Sequence, residues 1–459
     1  LTTPEQSNQQ MTEPIISVSG LRGIVGSELT PVVAVNYVAA FCSTLEQGVV
    51  VLGRDGRSSG SMLSRAVTSS LMASGMSVLD ADVISTPSLG VLVRDQQAIA
   101  GIQISASHNP PAYNGFKLFN RQGRVIPPLE GIKVLNAYKN RECRWTDQAA
   151  IGTAVLATDP HAPHLRLVLD TVQIDRIRRC NFRVLLDSNH GAGSILGRRL
   201  LDELGCRVTA LGVEANGLFS HPPEPIAENL IEVCHAVKTG GFDIGFCQDP
   251  DADRLAVIDE HGVYIGEEFT SVLCVLHQLD HRKGAIVTNC ASSSMTEWLA
   301  KKHGVPFHRS KVGEANVVDL MQSVSALYGG EGSGGPIDPR VGYVRDSFVG
   351  IAQVLDLMAT RSVSISQIVS ALPRWSMIKD KMQLSRERLS ASITRLQNSM
   401  NAPKIDTQDG VRLDWPDRWL LLRGSNTEPI VRLIAEAPSE LAARELIDKA
   451  KNFLDVNAK

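Results

Sequence analysis

Gly48-Val-Val-Val-Leu-Gly-Arg-Asp55 decides the fold. A continuous apolar, largely β-branched run ends in polar turn residues, and a helical pattern follows. No alternation marks a wet face, so the segment reads as a strand covered on both sides. The same figure recurs at Phe182-Arg-Val-Leu-Leu-Asp-Ser-Asn189 and at Ala285-Ile-Val-Thr-Asn289. After the last of these, residues 294–303 carry helix formers and Gly304 supplies a stop. Buried strands alternating with amphipathic helices imply parallel or mixed sheets clothed by helices. Three α/β units of similar build are expected, with no repeat visible in the sequence itself. Beyond Pro373 the pattern changes to a charged helical stretch over 384–400 and a strand pair at Trp419–Leu422 and Ile430–Ile434. A last amphipathic helix follows over 439–454. That order implies a small α+β domain.

The chain of 459 residues is too long for one core. The expected division is a disordered tail over 1–13, α/β domains over 14–155, 156–265 and 266–372, and the α+β domain over 373–459. Thr146 to Pro163 mixes small, polar and proline residues and joins the first two domains; a second junction falls near Gly266. With 43% hydrophobic and 21% charged residues the composition is that of a soluble globular protein. A net charge of −3 offers no basic field for nucleic acid or an anionic membrane. No apolar stretch approaches the roughly 20 residues that span a bilayer. The polar first ten residues lack the pattern of a signal peptide. Eight scattered cysteines without a CxxC pair suit free thiols in a reducing cytoplasm.

Ile104-Ser-Ala-Ser-His-Asn-Pro110, followed by Asn114-Gly-Phe-Lys117, gathers a hydroxyl, an imidazole and an ammonium in a turn-forming segment. Ser107 is expected on an exposed loop, where it can carry a phosphoryl group if cations surround it; an ordinary polar turn is the competing reading. Gln248-Asp-Pro-Asp-Ala-Asp-Arg254 places Asp249, Asp251 and Asp253 at i, i+2 and i+4 between strand-like runs. Such carboxylates can converge on one hard cation. An EF-hand would need glycine where Arg254 stands, and flanking helices. Magnesium fits better, since a partial protein shell leaves room for a phosphoryl oxygen; a solvated acidic turn stays open. Arg423-Gly-Ser-Asn-Thr-Glu-Pro429 reads as a phosphate cradle or a polar hairpin turn. Gly329-Gly-Glu-Gly-Ser-Gly-Gly335 reads as a flexible loop offering Glu331 and Ser333 to sugar hydroxyls, or as a structural glycine turn. In Ser19-Gly-Leu-Arg-Gly23 the glycines leave Arg22 free to reach a cleft.

In this order, from about Ile16 to Glu436, the motifs resemble the α-D-phosphohexomutase family. The resemblance implies four domains around a central cleft, three α/β and one α+β, and transfer of a phosphoryl group between O1 and O6 of a hexose. It implies that Ser107 is the phosphoserine and that Asp249, Asp251 and Asp253 hold Mg2+ together with it. Arg22, His108, Lys117 and Arg254 would surround the transferring group, with Lys117 or His108 as general acid/base. Glu331 and Ser333 would bind the sugar, and Arg423, Ser425, Asn426 and Thr427 the non-reacting phosphate. Hexose 1,6-bisphosphate would serve as intermediate and activator. The expected partner is a small sugar phosphate, with no nucleic acid and no membrane, for a monomer or homodimer. Many relatives carry a GExSGH loop, whereas this chain has Gly335 at its end. The GEGSGG form is more similar to a GEGNGG loop of phosphoglucosamine mutases, which tilts the expected substrate to glucosamine phosphate over glucose or mannose phosphate.

Overall fold

The valine-rich run forms the strand Val49–Arg54, inside a seven-stranded sheet of the computed structural model. Residues 13–17, 20–384, 396, 400–424 and 430–456 are described, and they form two units, 1–266 with 337–362, and 267–336 with 363–459.

In the first unit Val49–Arg54 lies parallel to Ala100–Ile104 on one side and to Ser77–Val83 on the other. Tyr113–Asn120 and Gly20–Ile24 extend this sheet antiparallel, so it is mixed. One face packs on helices Pro31–Ser43 and Gly60–Ala73 through Tyr37, Phe41, Leu63 and Leu71. The other face meets Thr86–Asp95 through Leu89, Leu92 and Val93. Burial on both faces explains why these strands show no alternation. The segment Thr146 to Pro163 also contributes structure, since Ala154–Leu156 pairs with Ser77–Val83 at the sheet edge.

A second sheet in this unit runs in the order Leu255–Ile258, Ile244–Gln248, Arg183–Asp187, Arg207–Leu211, with only Leu255–Ile258 antiparallel. Helix Ser347–Arg361 packs on Ile174–Cys180 and Gly193–Glu203 of this unit. Asp346 caps it, accepting the N–H groups of Phe348 and Val349 at 2.9 and 3.2 Å. Its residues are buried from Ser347 to Ala359, and that apolar circumference demands partners on every side.

In the second unit Phe307–Ser310, Ile286–Asn289, Tyr328–Glu331 and Gly335–Ile337 form a four-stranded sheet. Ser294–His303 is helical, and Gly304 ends it at φ +65°, in the left-handed region that suits glycine. The C-terminal part is a five-stranded sheet of antiparallel pairs in the order Ser376–Gln383, Ile430–Ala437, Trp419–Gly424, Val411–Asp414, Lys404–Asp406. Helix Glu440–Val456 covers it through Ala443, Ile447 and Ala450. Most of the charged stretch over 384–400 lies outside the described residues. Among the described residues no helix is long and apolar enough to cross a membrane.

Candidate active site

Ser107 follows the carboxyl end of strand Ala100–Ile104, where parallel sheets place their ligand loops. It is not exposed as its turn-rich surroundings suggest. Its relative exposure is 1%, because buried polar side chains enclose the loop and satisfy its backbone. Its φ of +50° is left-handed, uncommon for a residue with a Cβ. Ser107 Oγ donates to Asp249 Oδ2 at 2.8 Å and lies 3.3 Å from His108 Nδ1. Burial, then the charges of Arg254 and Arg22, lower the His108 imidazole to about 2, so it is uncharged at neutral pH.

The loop after Ile244–Gln248 winds around Asp249. Ala252 N–H donates to the Asp249 carbonyl at 2.9 Å, and the N–H groups of Asp253 and Arg254 both donate to Asp249 Oδ1 at 3.1 Å. Oxygens of Asp249, Asp251 and Asp253 lie within 4.8 Å of one another, all three side chains being buried. Lys117, on strand Tyr113–Asn120, donates to Asp251 Oδ2 at 2.6 Å and Asp253 Oδ2 at 2.7 Å. Arg22, on the paired strand Gly20–Ile24, donates to Asn109 Oδ1 at 3.1 Å. Arg254 is 3.9 Å from Asp253 Oδ1 and 3.8 Å from Glu224. Thus Ser107, His108, Lys117, Arg22, Arg254 and the aspartates form one cluster in the first unit.

Burial, then the charges of Asp253 and Asp251, push the Asp249 carboxyl well up. Burial opposes ionisation of Asp253 too, but Arg345, Lys117 and Arg254 outweigh it and hold that carboxyl well below the ordinary range. Asp251 Oδ1 and Asp253 Oδ1 are buried without a hydrogen-bond partner. Hard oxygen donors converging in this way, two of them unsatisfied, fit a divalent cation such as Mg2+.

Two contributors escape the motif reading. Arg345 donates to Asp253 Oδ2 at 2.7 Å, and the Thr86 hydroxyl donates to Asp251 Oδ2. Ser85 caps the helix that Thr86 opens, but nothing local ties that helix start to an aspartate 165 positions away.

Glu331, Ser333 and Arg423 lie in the second unit. Glu331 ends the strand Tyr328–Glu331, and its Oε1 accepts Asn289 Nδ2 at 2.8 Å and Gly313 N–H at 3.0 Å. Arg423 Nε donates to Asp409 Oδ2 at 2.8 Å, and that oxygen also accepts Val312 N–H at 2.9 Å. The Val312-Gly313 backbone therefore ties both side chains to one segment. Ser425, Asn426 and Thr427 lie outside the described residues.

Of the two readings of the glycine loop, the structural turn is the one that forms. It is a tight turn between two strands, with Ser333 half-buried at its tip. A Cβ on Gly330 would come within 2.8 Å of the Gly335 carbonyl oxygen, and one on Gly332 would overlap the Glu268 carboxylate. Burial pushes Glu268 from 4.5 up to about 7, with Lys379 opposing and Glu267 reinforcing the shift. The folded state then holds a proton that the unfolded state releases. This group's penalty on folding grows as pH rises from about 4.5 and is complete above about 7. Glu268→Gln should raise the melting temperature by roughly 2–4 °C at about pH 8 and hardly at all near pH 4.5. Equal shifts at both pH values would contradict this account.

Comparison with known proteins identifies the family. Domain models of the family described as phosphoglucomutase/phosphomannomutase match four consecutive stretches: alpha/beta/alpha domains I, II and III at residues 14–144, 162–262 and 268–375, and the C-terminal domain at 378–452. A phosphoglucomutase/phosphomannomutase of Thermococcus kodakarensis is 33% identical over 95% of this chain and 97% of its own length. A probable phosphoglucosamine mutase of Pyrococcus horikoshii is 32% identical over 95% and 96%. The crystal structure of a phosphoglucomutase/phosphomannomutase family protein from Burkholderia thailandensis superposes with a TM-score of 0.85 at 25% identity, covering 97% of this chain and 98% of that one. With its α/β domains, its antiparallel C-terminal sheet and a match along nearly the whole sequence, the chain belongs to the α-D-phosphohexomutases, the phosphoglucomutase/phosphomannomutase family of isomerases.

Proposed function

We propose that this phosphohexomutase interconverts glucosamine 6-phosphate and glucosamine 1-phosphate through a phosphoserine at Ser107 and a bound 1,6-bisphosphate. The observation that carries the chemistry is the Ser107 hydroxyl, buried and 2.8 Å from Asp249 within a convergent set of three carboxylates. Phosphoryl transfer asks the protein for alignment and charge compensation more than for covalent help.

In the forward half-reaction the Oγ–P bond of phosphoserine breaks and the sugar hydroxyl oxygen takes the phosphoryl group. The electron pair of the broken bond stays on Ser107 Oγ. His108, uncharged at neutral pH, accepts the hydroxyl proton, its proton affinity raised by the phosphoryl dianion beside it. Lys117 donates to the serine oxygen. Arg22 and Arg254 face the negative charge spread over the equatorial oxygens. Asp249, Asp251 and Asp253, together with the serine oxygen, would hold Mg2+, which supplies further charge neutralisation on the phosphoryl oxygens when bound. The bisphosphate then turns end for end and returns its other phosphate to Ser107.

Glu331 and Ser333 bind sugar hydroxyls, and Arg423 with Ser425, Asn426 and Thr427 grips the phosphate that is not reacting. That grip supplies the binding energy for orientation. Arg423→Ala should raise KM for the sugar phosphate by about tenfold, the worth of one charge-assisted hydrogen bond. An unchanged KM would place the cradle elsewhere.

The choice of glucosamine phosphate is supported by the GEGSGG turn and by the name carried by the Pyrococcus relative. The name of the Thermococcus relative favours glucose and mannose phosphates instead. Phosphorus NMR of the purified protein with Mg2+ and trace hexose 1,6-bisphosphate separates these readings. Glucosamine 6-phosphate, glucose 1-phosphate and mannose 1-phosphate would be compared in parallel. Faster conversion of glucosamine phosphate is expected; preference for either other sugar would keep the mechanism and discard this specificity.

A further inference from the structure

Arg57 belongs to none of the motifs above. It lies three residues beyond strand Val49–Arg54, and its relative exposure is only 2%. Its guanidinium nonetheless uses every N–H. Nη2 donates to the carbonyls of Ser107 at 2.7 Å and Asn109 at 2.6 Å. Nη1 donates to those of Pro110 at 2.8 Å and Tyr113 at 3.1 Å. Nε donates to Asp55 Oδ2 at 3.1 Å, and the Phe219 ring covers the guanidinium, its centroid 5.0 Å away. One cation thus gathers four carbonyls of the turn that carries Ser107.

The other end of Ser107 leads back to the same pair. Its N–H donates to Ser105 Oγ at 2.9 Å, and Ser105 Oγ donates to Asp55 Oδ2 at 2.7 Å. Both backbone polar groups of Ser107 are therefore fixed by the Asp55–Arg57 pair. Its N–H is held through Ser105 and its C=O directly. Ser107 needs that restraint, because its left-handed φ costs on the order of 1 kcal/mol and persists only where the surroundings enforce it.

The backbone around Arg57 is itself locked against the loops of the second sheet. A Cβ on Gly56 would come within 2.6 Å of the His190 carbonyl oxygen, and one on Gly217 within 2.6 Å of Arg57 Cα. The brace therefore meets the Ser107 loop on one side and the sheet that carries Asp249 on the other.

We propose that Arg57, anchored by Asp55, is the positioning residue that sets the Ser107 oxygen in line for phosphoryl transfer. The inference rests on the reading of Ser107 as the phosphoryl carrier. Lysine cannot take over, since a single ammonium has three donors and cannot match a planar fork with five.

The test is single-turnover transfer from glucose 1,6-bisphosphate to dephosphorylated enzyme, followed by intact mass and peptide mapping. In that step the sugar O–P bond breaks, the Oγ–P bond forms, and the serine proton passes to the sugar oxygen. Wild type should gain one phosphate on Ser107. Arg57→Lys should gain it about 100-fold more slowly, the scale of an ångström-sized misplacement. The steady-state loss should fall on kcat, with KM within about threefold of wild type, because the sugar-binding residues are untouched. Asp55→Asn, which keeps the shape and removes the charge, should slow transfer by about tenfold, and it decides the matter if the lysine variant does not fold. Transfer at the wild-type rate in either folded variant, or a loss confined to KM, overturns the inference. Wild type that places no phosphate on Ser107 overturns the reading beneath it as well.

Discussion

Ser107→Ala will give a folded protein whose mutase turnover falls by at least about 10⁴-fold, the scale of losing a covalent nucleophile. The fold should tolerate the change for reasons specific to this loop. The Arg57 brace grips the main chain, which alanine leaves in place. Alanine meets no worse conflict than serine at φ +50°. Asp249 loses one donor but keeps the N–H groups of Asp253 and Arg254 on its other oxygen. The expected cost is about 1–2 kcal/mol, visible as a small drop in melting temperature. Phosphorus NMR at saturating sugar phosphate reads the turnover. A variant that still converts substrate at the wild-type rate would place the phosphoryl carrier on another side chain.

Asp251→Asn should weaken Mg2+ binding on the order of 100-fold, read by calorimetric titration and by the magnesium dependence of kcat. The geometry makes this position unforgiving. Asp251 Oδ2 is committed to Lys117 and the Thr86 hydroxyl, while Oδ1 is buried without a hydrogen-bond partner. An asparagine must keep its oxygen toward the Lys117 ammonium, so its NH₂ takes the place of the unsatisfied ligand oxygen. One negative charge also disappears beside Lys117, which turns the local field against a second cation. A wild-type magnesium titration in this variant would remove the aspartate set from metal binding.

The parts legible in the sequence are those whose cause is local. Continuous apolar runs such as Val50–Leu52, rich in β-branched residues, point to strands covered on both faces, and those strands form. Asp249, Asp251 and Asp253 lie close enough in the chain for one turn to bring them together. What escaped is set by distant partners. Turn residues around Ser107 suggested exposure, yet Arg57 and Asp249 arrive from other loops and bury it. Arg345 and Thr86 reach the aspartates across 92 and 165 positions, and no local spacing encodes either contact. The glycine loop left backbone freedom and a structural turn both open, and the close approaches at 330 and 332 that decide for the turn come from Gly335 and Glu268. Helix Ser347–Arg361 follows the third sheet in sequence, but its all-round apolar surface is spent on the first unit.

Gly332 and Glu268 together constrain how the glycine loop proposed to bind the sugar can be redesigned. The carboxylate occupies the volume that any side chain at 332 would need, so the two positions can change only as a pair. Grafting in the loop of a relative with a larger residue there would force Glu268 aside, breaking its contact with the Ser293 N–H and moving a half-buried carboxyl toward Glu267 or Glu436. A specificity swap confined to the loop would therefore be read as poor folding of the second unit rather than as altered sugar choice. Shortening residue 268 in the same step is the precondition for seeing what the loop itself selects.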